Sequence, residues 1–202
     1  MIKNIIFDMG GVLIDYNPEK TAYKYFDKET ADIALKELFR NQLWADKDRG
    51  IITPEEIMEK IKDKIPAHAH PLINEMVHNY YPYMPPFEKM CELVKELKEK
   101  GYGIYLLSNA SDDFHIQRYT IPALSYFDGV LISADYKLLK PEKEIYLALF
   151  DKFSLNPEEC YFIDDVQKNI DGAAAAGMPG HCYSHGDIEI LRKALREAGV
   201  TV

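Results

Sequence analysis

Three short apolar runs in this chain end in polar residues of the kind that carry chemistry. Ile5-Ile6-Phe7 runs into Asp8, Tyr105-Leu106-Leu107 into Ser108 and Asn109, and Tyr161-Phe162-Ile163 into Asp164 and Asp165. Lys140 stands just before Pro141 and a helical pattern over 142–152. If the three runs are neighbouring parallel strands, their polar ends meet at one edge of a sheet. Three carboxylates, a hydroxyl, an amide and an ammonium then share one crevice.

Carboxylates crowded together repel: a like-charged pair 4 Å apart costs about 4 kcal/mol at an effective dielectric near 20. Either their pKa values rise or a cation neutralises them. Oxygen donors without histidine point to Mg²⁺, which takes one or two carboxylates, keeps several waters and binds substrate phosphate. Zinc would call for His or Cys ligands, and these segments contain none. An Asp at a strand end often caps the next helix. Capping accounts for any one of these residues, but not for the set.

The elements that would position them follow from periodicity. Short β-rich runs at Asn4–Phe7, 103–107, 130–132, 161–163 and 181–183 alternate with helical stretches, the pattern of βαβ units and a parallel sheet. The segment 88–100 carries Met90, Val94 and Leu97 on one face and stops at Gly101, and the segment 169–176 stops at Gly177. Residues 16–85 read as successive helices with no strand, opened in one place by the capping box Thr53-Pro54-Glu55-Glu56. Pro82, Pro85 and Pro86 make a stiff return. The reading is a Rossmann-like α/β core from residues 1–15 and 86–202, with a helical cap, 16–85, inserted after strand one. Because open parallel sheets bind ligands outside the carboxyl ends of their strands, an insert leaving from there covers the crevice.

The run Ile6-Phe7-Asp8-Met9-Gly10-Gly11-Val12-Leu13-Ile14-Asp15 resembles the first motif of the haloacid dehalogenase superfamily. Ser108-Asn109 resembles the second motif, Lys140-Pro141 the third, and Asp164-Asp165 with Asn169 the fourth, all in order. The insert sits where the sugar-phosphatase-like subfamily carries its cap. The resemblance implies a phosphatase in which Asp8 attacks phosphorus and becomes an aspartyl-phosphate. It implies Mg²⁺ held by Asp8, the Gly10 backbone carbonyl and Asp165, with Asp164 acting directly or through a bound water. It further implies phosphate oxygens held by Ser108 and Asn109, and Lys140 neutralising charge shared by nucleophile and phosphate. The substrate would be a small phosphorylated metabolite, with a sugar phosphate the best class.

One position departs from the pattern. Most phosphatases of the superfamily have a second Asp two residues after the nucleophile as general acid and base, a role worth about 10²–10⁴-fold in rate. Here that residue is Gly10. The metal-independent 2-haloacid dehalogenases also lack it, but they do not keep the acidic pair that Asp164 and Asp165 form. A non-catalytic, phosphometabolite-binding regulatory protein is the remaining alternative.

Composition agrees with a small-molecule enzyme. The 202 residues carry 24 Lys and Arg against 33 Asp and Glu, a net charge of −9 that disfavours nucleic acid as a partner. No apolar run is long enough to span a membrane, the sparse Cys91, Cys160 and Cys182 fit a reducing, cytoplasmic setting, and Cys91 and Cys160, in apolar runs, read as buried thiols. Weaker signals get simpler expectations. His68 and His70 lack a third ligand. Arg49 or Asp46, in the segment 44–50, would reach substrate or lie in solvent. Tyr80, Tyr81 and Tyr83 would pack cap against core, Asp15 would shape the turn into the cap, and Asp171 would pair locally on its helix.

Overall fold

The computed structural model describes residues 1–184 and 186–202. Its five strands are β1 (Asn4–Phe7), β2 (Gly103–Ser108), β3 (Gly129–Ile132), β4 (Cys160–Asp164) and β5 (Gly180–Cys182). All pair in parallel, in the order β3-β2-β1-β4-β5. The chain steps outward from β1 to β2 and β3, then returns to place β4 on the other side of β1. The reversal creates the crevice beside β1 in which such sheets bind ligands. The expected strands are present, with ends shifted by a residue or two.

The period of two along each strand divides the apolar side chains between two layers. Ile5 and Phe7 face one layer and Ile6 the other. Between β1 and β2 lie α1 (Pro18–Tyr25), α2 (Lys28–Ala34), α3 (Gln42–Asp48), α4 (Pro54–Ile61), α5 (His70–His78) and α6 (Glu88–Glu99). The rest are α7 (Phe114–Gln117), α8 (Ser133–Tyr136), α9 (Lys143–Phe153), α10 (Gln167–Ala175) and α11 (Ile188–Glu197). Helices α9 and α10 cover the Ile6 face with Tyr146, Leu149 and Ala173. Helices α6 and α11 cover the other face with Leu93, Val94, Leu97, Leu191 and Leu195.

Helices α1 to α4 of the insert start on side-chain caps, whereas α5 has none. Asn17, Asp27, Asn41 and Thr53 accept from the backbone N–H of Lys20, Thr30, Leu43 and Glu56, and Thr53 and Glu56 form the full capping box expected from sequence. The chain leaves and rejoins the sheet along paired paths: Asp15 N–H donates to Pro85 O at 2.8 Å and Phe87 N–H to Leu13 O at 2.9 Å. The apolar interior of the cap, with Leu38, Ile57, Ile61, Ile73 and Met76, is continuous with the Ile5/Phe7 face of the sheet. Cys160 is buried, whereas Cys91, expected to be buried, is only half-buried near the exposed end of α6; all three thiols are free. No helix among the described residues is long and apolar enough to cross a membrane.

A shared interior implies shared unfolding. Leu38→Ala, at a fully buried cap position, is expected to cost about 2–5 kcal/mol. Fluorescence of Trp44, the single tryptophan, and far-UV circular dichroism should trace the same urea transition. Two separated transitions would show a cap that folds by itself.

Candidate active site

Asp8 is seated by backbone pairing: its N–H donates to Ile163 O at 2.8 Å, which extends the β1–β4 ladder by one residue and sets Asp8 beside Asp164. The Asp8 Oδ1 accepts from Met9 N–H at 2.7 Å and pairs with Lys140 Nζ at 2.7 Å. The same ammonium reaches Asp164 Oδ2 at 2.7 Å and Leu107 O at 3.0 Å. Its three protons are thereby committed to the ends of β1, β4 and β2. Asp164, fully buried, also accepts from Val166 N–H and from the Asn169 amide. Asp8, Asp164 and Asp165 bring carboxylate oxygens within 4.8 Å of one another.

One ammonium does not balance three carboxylates. Burial pushes Asp8 up to about 7, with Lys140 pulling it down and Asp164 and Asp165 pushing it further up. Burial and Asp164 likewise raise Asp165, against Lys140. Lys140 sits above its ordinary value: burial opposes its charge, but Asp8 and Asp164 outweigh burial. The turn after Asp8 brings Gly11 against Asp165. Its φ is +70°, and a Cβ there would fall 2.3 Å from Asp165 Oδ2, so position 11 takes no side chain.

A cavity of about 260 Å³ opens over this cluster. Its floor includes Asp8, Gly10, Ser108, Asn109, Lys140, Asp165 and Asn169, which brings the sequence-derived residues together apart from Asp164, buried beneath. Asn109 makes a contact that the sequence reading did not name. Its Oδ1 accepts from Lys140 N–H at 2.8 Å and its Nδ2 donates to Lys140 O at 3.2 Å, so its side chain holds the lysine's backbone.

The cap supplies the roof through residues that sequence reading passed over. In the segment 44–50, Trp44, Lys47 and Asp48 line the cavity, not Arg49 or Asp46. Arg49 pairs with Glu142, and Asp46 takes the Gln42 amide. Positions 44, 47 and 48 are spaced i, i+3, i+4 on α3, and that spacing was a signal for a shared face. Lys47 is buried and bonded to Ser111, at 2.9 Å, and to Asp113. Tyr80 packs its ring against Tyr16, Phe39, Trp44 and Tyr83, all within the cap rather than across to the core as expected, and also lines the cavity. Asp15 pairs with Lys20, Asp171 takes the Gln167 amide, and the His70 ring bonds Ile65 O at 2.8 Å.

The raised pKa of Asp8 sets a pH dependence. Below about pH 3.8 the group is neutral folded or unfolded and has no effect. Between there and about 7 the unfolded chain loses a proton that the folded site keeps, so stability falls as pH rises. In EDTA, Asp8→Asn should melt above the wild type at pH 8, the gap closing towards pH 4–5. A gap independent of pH would contradict this.

Comparison with known proteins gives the same picture. Residues 2–177 match the family model described as haloacid dehalogenase-like hydrolase. A sesquiterpene phosphatase of Aspergillus oryzae is 29% identical over 179 residues, 88% of each chain. A D-ribitol-5-phosphate phosphatase of Bacteroides thetaiotaomicron is 25% identical over 181 residues, 84% of this chain and 86% of that one. A HAD family enzyme of Bacteroides thetaiotaomicron, solved with magnesium and inorganic phosphate, superposes with a TM-score of 0.67 at 26% identity, covering 90% of this chain and 93% of that one. With a family match spanning most of its length and a sheet of the same form, this chain belongs to the haloacid dehalogenase-like hydrolases.

Proposed function

We propose that the protein is a Mg²⁺-dependent phosphatase that hydrolyses a small phosphomonoester through an aspartyl-phosphate on Asp8. The observation that carries this is the cluster of three carboxylates sharing one buried ammonium at the floor of a cavity. The donor set fits the ion: oxygen ligands, surplus negative charge, and an Asn169 Oδ1 buried without a hydrogen-bond partner beside it. Asp8, Asp165 and the Gly10 carbonyl would hold Mg²⁺, with Asp164 direct or through water. When bound, Mg²⁺ offsets the charge of the carboxylates and of the phosphoryl oxygens.

The chain's own residues do the rest. Lys140 keeps the Asp8 carboxylate aimed and offsets charge as the phosphoryl group transfers to it. Asn109 holds Lys140 in register, and Ser108 offers its hydroxyl to a phosphate oxygen. The cap excludes bulk water over the reacting atoms.

The organic part of the substrate meets a lining that combines the apolar Tyr16, Trp44, Tyr80, Met9 and Met84 with the polar Asp48, Lys47 and Gln117. A sugar or polyol phosphate suits both kinds of group, stacking its C–H face and hydrogen-bonding its hydroxyls; the ribitol-phosphate phosphatase relative supports this class. The aromatic and methionine wall also favours a second reading, an apolar alkyl monophosphate, in line with the sesquiterpene phosphatase relative.

Release of inorganic phosphate from a panel of sugar, polyol and prenyl monophosphates, with Mg²⁺ or EDTA, tests the proposal. Turnover is expected with Mg²⁺, lost in EDTA and reduced at least about 10³-fold in Asp8→Asn. Halide release from 2-haloacids in EDTA would make the protein a dehalogenase. Tight phosphometabolite binding without turnover would make it a binding protein.

A further inference from the structure

Expelling an alkoxide from phosphorus requires a proton at the leaving oxygen, and the cavity floor has no group free to give one. Asp8 is the nucleophile in the proposed reaction, Lys140 and Asp164 are locked to each other, and Asp165 belongs to the cation. The side chain two residues after Asp8 is absent. A Cβ on Gly10 would lie 3.2 Å from the Tyr16 Cβ, so Tyr16 fills the space an acid would take there.

The other carboxylates lining the cavity are Asp113, from the core segment after β2, and Asp48, from the cap. Asp113 is tied to Lys47 and Ser111. Asp48, at the carboxyl end of α3, faces the cavity, and among the described residues its carboxylate makes no hydrogen bond or ion pair. Its backbone is fixed instead. Its carbonyl accepts from the buried Ser133 hydroxyl, which itself accepts from Ala110 N–H at 2.9 Å. On either side Lys47 is bonded to Ser111 and Asp113, and Arg49 to Glu142 and to Lys137 O, while Lys137 Nζ donates to Gly50 O at 2.7 Å. A carboxylate without a hydrogen-bond partner among the described residues, on a backbone bolted to the core, thus lines the same cavity as Asp8.

Resting on the phosphatase reading, we propose that Asp48 is the catalytic acid and base of this enzyme, delivered by the cap in place of the residue missing at position 10. As the Asp8 oxygen bonds to phosphorus and the ester P–O bond breaks, Asp48 gives its proton to the departing oxygen and the alcohol leaves. Water then attacks the aspartyl-phosphate. Asp48 takes one of its protons, the P–O bond to Asp8 breaks, phosphate departs, and both carboxyl groups return to their starting states. The electrostatics suit the role. Burial lifts Asp48 to about 7, the Asp113 and Asp8 carboxylates adding to the rise and the Lys47 and Lys140 ammoniums opposing it. Tyr16, the other titratable neighbour, is held neutral by burial and by Asp48. A group near 7 both donates and accepts protons at neutral pH.

Leaving-group dependence separates this role from a structural one. With Mg²⁺, Asp48→Asn should lose about 10²–10⁴-fold in kcat/KM on an alkyl or sugar phosphate, but less than about 10-fold on p-nitrophenyl phosphate, whose leaving group needs no proton. With p-nitrophenyl phosphate the variant should show a burst of about one nitrophenolate per enzyme, because aspartyl-phosphate hydrolysis loses its base. Asp48→Glu should recover part of the activity on the alkyl ester. Equal losses on both esters without a burst, or an unchanged rate on the alkyl ester, would overturn the assignment of Asp48 while leaving the phosphatase reading intact. A wild type that turned over none of these esters would overturn both.

Discussion

A single buried ammonium organises the site. Lys140 Nζ spends one proton each on Asp8, Asp164 and the Leu107 carbonyl, and so ties together the carboxyl ends of the three adjacent strands β1, β4 and β2. Buried ion pairs seldom add much net stability, but removing the Lys140 ammonium would leave its carboxylate partners buried without compensation, at a cost of about 3–5 kcal/mol. The arrangement is better understood as a device for position and charge. It points the Asp8 carboxylate into the cavity and leaves the cluster one cation short of balance. The raised pKa of Asp8 reflects its burial together with that shortfall.

The cap completes what the sheet begins. Its apolar interior merges with one face of the sheet, and the end of α3 is pinned to the core by Lys47, Ser133, Arg49 and Lys137. The pinning fixes the roof of the cavity relative to the floor, as catalysis by positioning demands. Opening the cap would break the Lys47–Asp113 and Arg49–Glu142 pairs together, both of which lie between cap and core.

The floor of the site was legible because strand ends announce themselves. A short apolar run that stops at Asp or Ser marks both the strand and the place where its polar group emerges, and pairing register does the rest. Asp8, Ser108, Asp164 and Asp165 were found that way, and Lys140 from its position before a helix. The roof was less legible. The register of α3 against the sheet is fixed by long-range contacts such as Ser133 to the Asp48 carbonyl, and no local pattern encodes these. Sequence reading reached the correct segment but favoured Arg49 and Asp46, while the i, i+3, i+4 face of Trp44, Lys47 and Asp48 turned inward. The hold of the Asn109 side chain on Lys140 was missed for a similar reason: its partner is the backbone of a residue 31 positions away.

The central claim is that surplus buried negative charge is balanced by protons when the ion is absent and by Mg²⁺ when it is present. Calorimetric titration of Mg²⁺ into EDTA-treated, dialysed protein at pH 7, in two buffers of different ionisation heat, tests it most directly. One ion should bind per chain with release of roughly half to one proton, most of it from Asp8. Absence of saturable binding, or binding with the same heat in both buffers, would contradict the account.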